Sequence, residues 1–130
     1  MKTGGDTSMS VDAEDVIDWQ DFESRCLNDA EFITQMLGVF IDNAPKTWQE
    51  CKHAADAGDW SAASRHAHTL KGSAANMSAG ALRTLAAGAE AKAGSHDKTG
   101  LDDLVAHIDL AMHDCIRACT QRLNAMDSTR

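Results

Sequence analysis

An all-α fold, an up-down antiparallel four-helix bundle with an additional short N-terminal helix, is predicted by three features of this 130-residue chain. Apolar residues recur at three- and four-residue steps through most of its length, the period of one helix face. A single Pro and nine Gly leave too few turn-formers for a sandwich or barrel of short strands. Aromatic residues make up only 5% and Tyr is absent, so the core must be filled largely by Ala, Leu and Met. A chain of this length builds one buried core rather than two.

The elements follow in order. Residues 1–16 are polar, Gly-bearing and aperiodic and are expected to form a flexible tail, with the bundle over 17–126 and a short C-terminal tail at 127–130. Asp18 reads as an N-cap opening a short helix over 19–27. Asn28-Asp29-Ala30-Glu31 is a second capping signal. Behind it Phe32, Met36, Phe40, Ala44, Trp48, Cys51 and Ala55 form the predicted buried stripe of a long helix. Pro45 removes one backbone donor from that helix and predicts a kink, with a split into two helices as the alternative.

Gly58 supplies a left-handed helix end, and Asp59 caps the third helix. There Trp60, Ala63, Ala67, Leu70, Ala74 and Met77 share a face. Ser78 is the expected cap of a fourth helix carrying Leu82, Leu85, Ala86 and Ala89 inward and closed by Gly94. A polar connection over 95–100 leads to the last helix, with Leu101, Leu104, Val105, Ile108, Met112, Cys115, Cys119, Leu123 and Met126 on its apolar face. Connections this short join antiparallel neighbours.

Twenty acidic against twelve basic residues give a net charge of −8, which repels a nucleic-acid backbone and an anionic membrane surface. The first residues contain no apolar signal segment and no run of about 18 apolar residues occurs, so a cytoplasmic protein that crosses no membrane is expected. Cys26, Cys51, Cys115 and Cys119 form no CxxC pair and read as reduced core thiols; Cys115 and Cys119 merely continue an apolar stripe. His66 and His68 lie about 200° apart around one helix, and His53, His96, His107 and His113 lack ligand spacing, so no metal site is expected.

One local pattern exceeds the needs of packing: Arg65-His66-Ala67-His68-Thr69-Leu70-Lys71-Gly72-Ser73-Ala74-Ala75. At about 100° per residue, His68, Lys71, Gly72 and Ala75 share an outward face. Gly72 in mid-helix costs on the order of 1 kcal/mol relative to Ala, so it needs a reason. Its missing side chain and the small Ala75 clear space beside the imidazole for a large partner. A neutral imidazole is a competent nucleophile at neutral pH. Lys71, and Arg65 one turn earlier, stand ready to offset the charge of a phosphoryl group placed on that ring.

The stretch Ala67-His68-Thr69-Leu70-Lys71-Gly72-Ser73 closely resembles the signature of histidine-containing phosphotransfer (HPt) domains. The resemblance extends to Phe40, Pro45 and Gly58-Asp59-Trp60 before it and to Leu82, Leu85 and Glu90 after it, covering about residues 17–125. It implies a five-helix protein with a four-helix core whose exposed His68 takes a phosphoryl group, on its outer nitrogen, from a receiver-domain aspartate or a sensor kinase and passes it to another receiver. Lys71 would then stabilise the charge and Gly72 give clearance. The implied partners are receiver domains of response regulators or hybrid sensor kinases. The implied chain is a monomeric phosphoryl carrier, with no nucleotide-binding glycine box and no bound cofactor, and Mg²⁺ sits on the receiver. The family often has Gly where this chain has Ser78, at the turn after the third helix. An adaptor that docks helices without carrying phosphate would use the same small-residue face.

Overall fold

The computed structural model describes residues 16–128, the last without its side chain. Among them lie five helices: α1 (Trp19–Arg25), α2 (Ala30–Asp56), α3 (Trp60–Asn76), α4 (Gly80–Gly94) and α5 (Lys98–Ser128). No strand occurs among the described residues. α2 to α5 pair in the order α2–α3–α4–α5, and α5 closes the ring against α2. This is the predicted bundle. α5 ends at Ser128, two residues beyond the expected boundary at 126. Ile17, the expected first residue of the bundle, is in the core, and Val16, the last of the expected tail, packs against it; residues 1–15 of that tail lie outside the described residues, as do 129–130.

All the helices except α4 start at an aspartate cap. Asp18 Oδ1 accepts from the Asp21 N–H, Asp29 Oδ1 from Glu31 and Phe32, and Asp59 Oδ1 from Ala62. These bonds satisfy donors that a helix N-terminus otherwise leaves unpaired. Asp97 Oδ1 accepts from the Gly100 N–H at the start of α5, so helix begins inside the predicted 95–100 connection.

The ends of α1, α2, α3 and α4 share one device, in which the residue after the C-cap turns left-handed and two N–H groups fold back on the last carbonyls. After α2 this residue is Gly58 (φ 76°), as predicted, with Gly58 N–H on Ala55 and Asp59 N–H on Ala54. After the other three helices it is not glycine: Leu27 (φ 58°), Ser78 (φ 57°) and His96 (φ 56°) take the position. Two expectations are thereby corrected. Ser78 does not cap α4, whose N-cap is Ala79 without a side-chain bond; it is the left-handed residue ending α3. Gly94 does not supply the turn after α4; it is the last helical residue, and His96 makes the turn. α1 likewise ends at Arg25 rather than 27.

The Ser78 turn carries its own compensation. Arg25 of α1 donates from Nη2 to the Ala75 and Asn76 carbonyls (2.8 and 3.0 Å) and to Ser78 Oγ (2.8 Å). Ser78 Oγ in turn donates to Asp21 Oδ2 at 2.6 Å. A left-handed non-glycine residue costs about 1–2 kcal/mol, and this cluster of bonds offsets it. The Ser78 bond, ahead of the Arg25 charge, holds the Asp21 carboxyl below its ordinary range.

α2 runs unbroken through Pro45, so the split is excluded. Its buried stripe differs from the expected one at the start: Ile33 and Leu37 are buried, whereas Phe32 is 42% exposed and Met36 only partly covered. Repeated four-residue steps drift by about 40° each around a helix. A stripe begun at Phe32 therefore rotates away from the face that Phe40, Ala44, Trp48 and Cys51 present. On α3 and α4 the core positions are mostly alanine, including Ala63, Ala67, Ala74, Ala86, Ala89 and Ala93. Such small residues let the two backbones approach closely. All four cysteines are buried free thiols, and burial pushes Cys51 up to about 11 and Cys115 and Cys119 to about 12.

Candidate functional site

His68 stands on the flank of α3, one residue past the buried Ala67, with 66% of its side chain exposed. Close approach of α3 and α4 brings Glu90 of α4 beside it. His68 Nδ1 meets Glu90 Oε2 at 2.9 Å, and the Lys71 Nζ donates to Glu90 Oε1 at 2.8 Å. One carboxylate thus bridges the imidazole and the ammonium. Donation from Lys71 first, and then from His68, holds the Glu90 carboxyl below its ordinary 4.5 despite partial burial, so it is ionised at neutral pH. An ionised carboxylate only accepts, so the proton lies on Nδ1 and the Nε2 lone pair points away from the carboxylate. This arrangement gives a nucleophilic nitrogen whose rear proton rests on an anion.

The remaining predicted residues lie around this pair. Gly72 is exposed, and a Cβ built on it meets nothing within 4 Å. The fold therefore does not need the glycine, and open space borders His68 one turn on. Ala75 is half-buried, low on the same face, with its carbonyl held by Arg25. Arg65 is exposed and lines a groove of about 530 Å³ together with His68, Glu90, Trp60 and His96. Its guanidinium has no ion-pair partner among the described residues. His96 stacks on Trp60, ring centroids 5.7 Å apart and planes 12° from parallel. Lys71, expected beside the free ring nitrogen, is instead engaged by Glu90.

Two features escaped the sequence reading of the site. Glu90 belonged to the resemblance but had no assigned part; its signal was being the one carboxylate of α3 and α4. The other is the strip Phe32, Met36 and Val39, displaced from the core and exposed or half-exposed on α2. Met36 and Val39 line a groove with Ser73 and Asn76 on the side of α3 away from α4. His66 is partly buried, 3.7 Å from Glu50. Among the described residues no three His, Cys, Asp or Glu side chains cluster as metal ligands, and no helix is long and apolar enough to cross a membrane.

A family model described as "Hpt domain" matches residues 35–126. No curated protein and no solved structure matches the chain.

Proposed function

The chain belongs to the Hpt domain family, whose members serve histidine phosphotransfer in phosphorelay signalling and interact with receiver domains, and from that premise we propose that His68 is the phosphoacceptor of a carrier between receiver domains. The observation that carries the reading is the Nδ1–Glu90 contact at 2.9 Å, which leaves Nε2 as the free nucleophile on an exposed ring. In the forward step Nε2 attacks the phosphorus of a partner's phosphoaspartate, forming the N–P bond as the P–O bond to the aspartyl carboxylate breaks. The ring then carries a positive charge, with its proton still on Nδ1 against Glu90. The return step to a second receiver reverses this sequence.

Lys71, on a flexible stem three residues along, exchanges Glu90 for the transferred phosphoryl oxygens, and Arg65 approaches them from the groove. Gly72 and Ala75 keep the face low enough for a globular partner to reach Nε2, while Phe32, Met36 and Val39 offer it apolar area alongside. The chain acts as a cytoplasmic, monomeric carrier; the receiver supplies Mg²⁺ and the hydrolytic or kinase chemistry lies with its partners. The charge of −8 argues against nucleic acid as a partner.

Incubation with a phosphorylated receiver and Mg²⁺ should yield an acid-labile, alkali-stable phosphoprotein. His68→Gln should abolish the label, and a variant that still acquired it would overturn the assignment.

A further inference from the structure

Charge is segregated in this molecule. Of its twenty acidic residues only Glu90 falls within α3 and α4, and that one is bound by Lys71 and His68. The same two helices carry Arg65, Lys71, Arg83 and Lys92. Elsewhere most basic groups of the described residues are neutralised in ion pairs, such as Arg25 with Asp21, Lys52 with Asp109, Lys98 with Asp56 and Asp102, and Arg122 with Glu23. Arg65 and Arg83 are exposed and have no such partner among the described residues.

Their positions give these two charges a geometry. Arg65 precedes His68 by one turn on α3. Arg83 lies seven residues before Glu90 on the antiparallel α4, which returns it to the same face about 10 Å along the axis, toward the α3–α4 turn. The two guanidiniums therefore bracket the imidazole along the bundle. The acidic groups bordering the Arg83 groove are Asp18 and Asp21, and both are occupied, by the α1 N-terminus and by Ser78 and Arg25 respectively.

We infer that the α3–α4 face is an electrostatic docking surface for an acidic protein partner, and that Arg83, remote from the phosphoryl chemistry, is one of its steering charges. The inference rests on the phosphocarrier reading and deepens it by stating what kind of surface must surround the partner's phosphoaspartate. An acidic partner is repelled by most of this chain and drawn to the face that presents His68. Productive orientation is thus favoured before contact.

The test measures the second-order constant for phosphoryl transfer from a phosphorylated receiver at low and high salt, for wild type, Arg83→Glu, Arg83→Lys and Arg117→Glu. Arg117→Glu makes the same charge change on exposed α5. Arg83→Glu should lower the constant about threefold to tenfold at low salt and approach wild type near 0.5 M, where screening acts within a few ångströms. Arg83→Lys should behave as wild type. Equal losses in Arg83→Glu and Arg117→Glu, or a deficit independent of salt, would overturn the docking surface. Should wild type take no label at any salt concentration, the carrier reading fails instead. Stopped-flow binding of the same receiver then decides the surface separately: a salt-sensitive Arg83→Glu defect sustains it, and identical association rates refute it.

Discussion

Replacing Glu90 with Gln probes the site without removing any atom from the packing. The side chain keeps its length and an acceptor oxygen for Nδ1 but loses the charge shared by His68 and Lys71 at 2.9 and 2.8 Å. The form of the ring that attacks is uncharged, and the carboxylate's charge matters little to it. As Nε2 attacks, the ring becomes cationic, and a carboxylate at hydrogen-bond distance stabilises that charge more than an amide does. Hydrogen bonds to charged groups contribute about 1.5–3 kcal/mol, while exposed ion pairs give about 1 kcal/mol or less. With His68 two-thirds exposed, the lower end applies, and a loss of about 1–1.5 kcal/mol is expected. That corresponds to transfer slowed roughly fivefold to tenfold. Rapid-quench measurement of label transfer from a phosphorylated receiver reads it, with helicity by circular dichroism as the control for folding. An unchanged or faster rate in a folded Glu90→Gln chain would refute the bridging carboxylate. The same substitution should alter acid sensitivity. Because Glu90 titrates below its ordinary 4.5 when folded, its contribution is present above about pH 4.5 and is lost as pH falls through the lowered value, a loss that Gln cannot show.

Two further substitutions test the framework. Gly72→Ala should raise stability by about 0.5–1 kcal/mol in urea unfolding, since a Cβ there meets open space, whereas Gly72→Glu should stay folded and lose transfer; a destabilised Gly72→Ala would show that the glycine serves the fold. Arg25→Met removes the donor from two α3 carbonyls and Ser78, and should cost about 1–2 kcal/mol by the same assay. In that background Ser78→Gly should recover stability, because the Ser78–Asp21 bond alone, worth about 1 kcal/mol, offsets less than the strain of the left-handed position; a further loss would contradict this account of the turn.

The bundle was legible because helix period, capping aspartates and short connections agree with one another. Asp18, Asp29 and Asp59 mark their helices correctly since the capping bond is local, made within three residues. What local pattern could not give were the choices made by distant groups. Ser78 looks like a cap by type, but the left-handed turn it makes is supported by Arg25, more than fifty residues away in sequence. Phe32 and Ile33 both fit an apolar stripe, but Ile33, seven residues before Phe40, lies on the face the neighbouring helices cover, which four-residue steps from Phe32 drift away from. At the site, His68, Lys71 and Gly72 share one helix face and could be read together. Glu90 completes the arrangement from another helix, and its meeting with His68 depends on how closely the alanine faces of α3 and α4 approach.

The central claim is that the rear proton on Glu90 leaves one particular ring nitrogen to take the phosphoryl group. It is tested most directly by phosphorus–nitrogen coupling in a ¹⁵N-histidine-labelled chain after transfer from a receiver. Coupling to Nε2 of His68 alone is the expected result. Phosphorus on Nδ1, or on any other histidine, would contradict it.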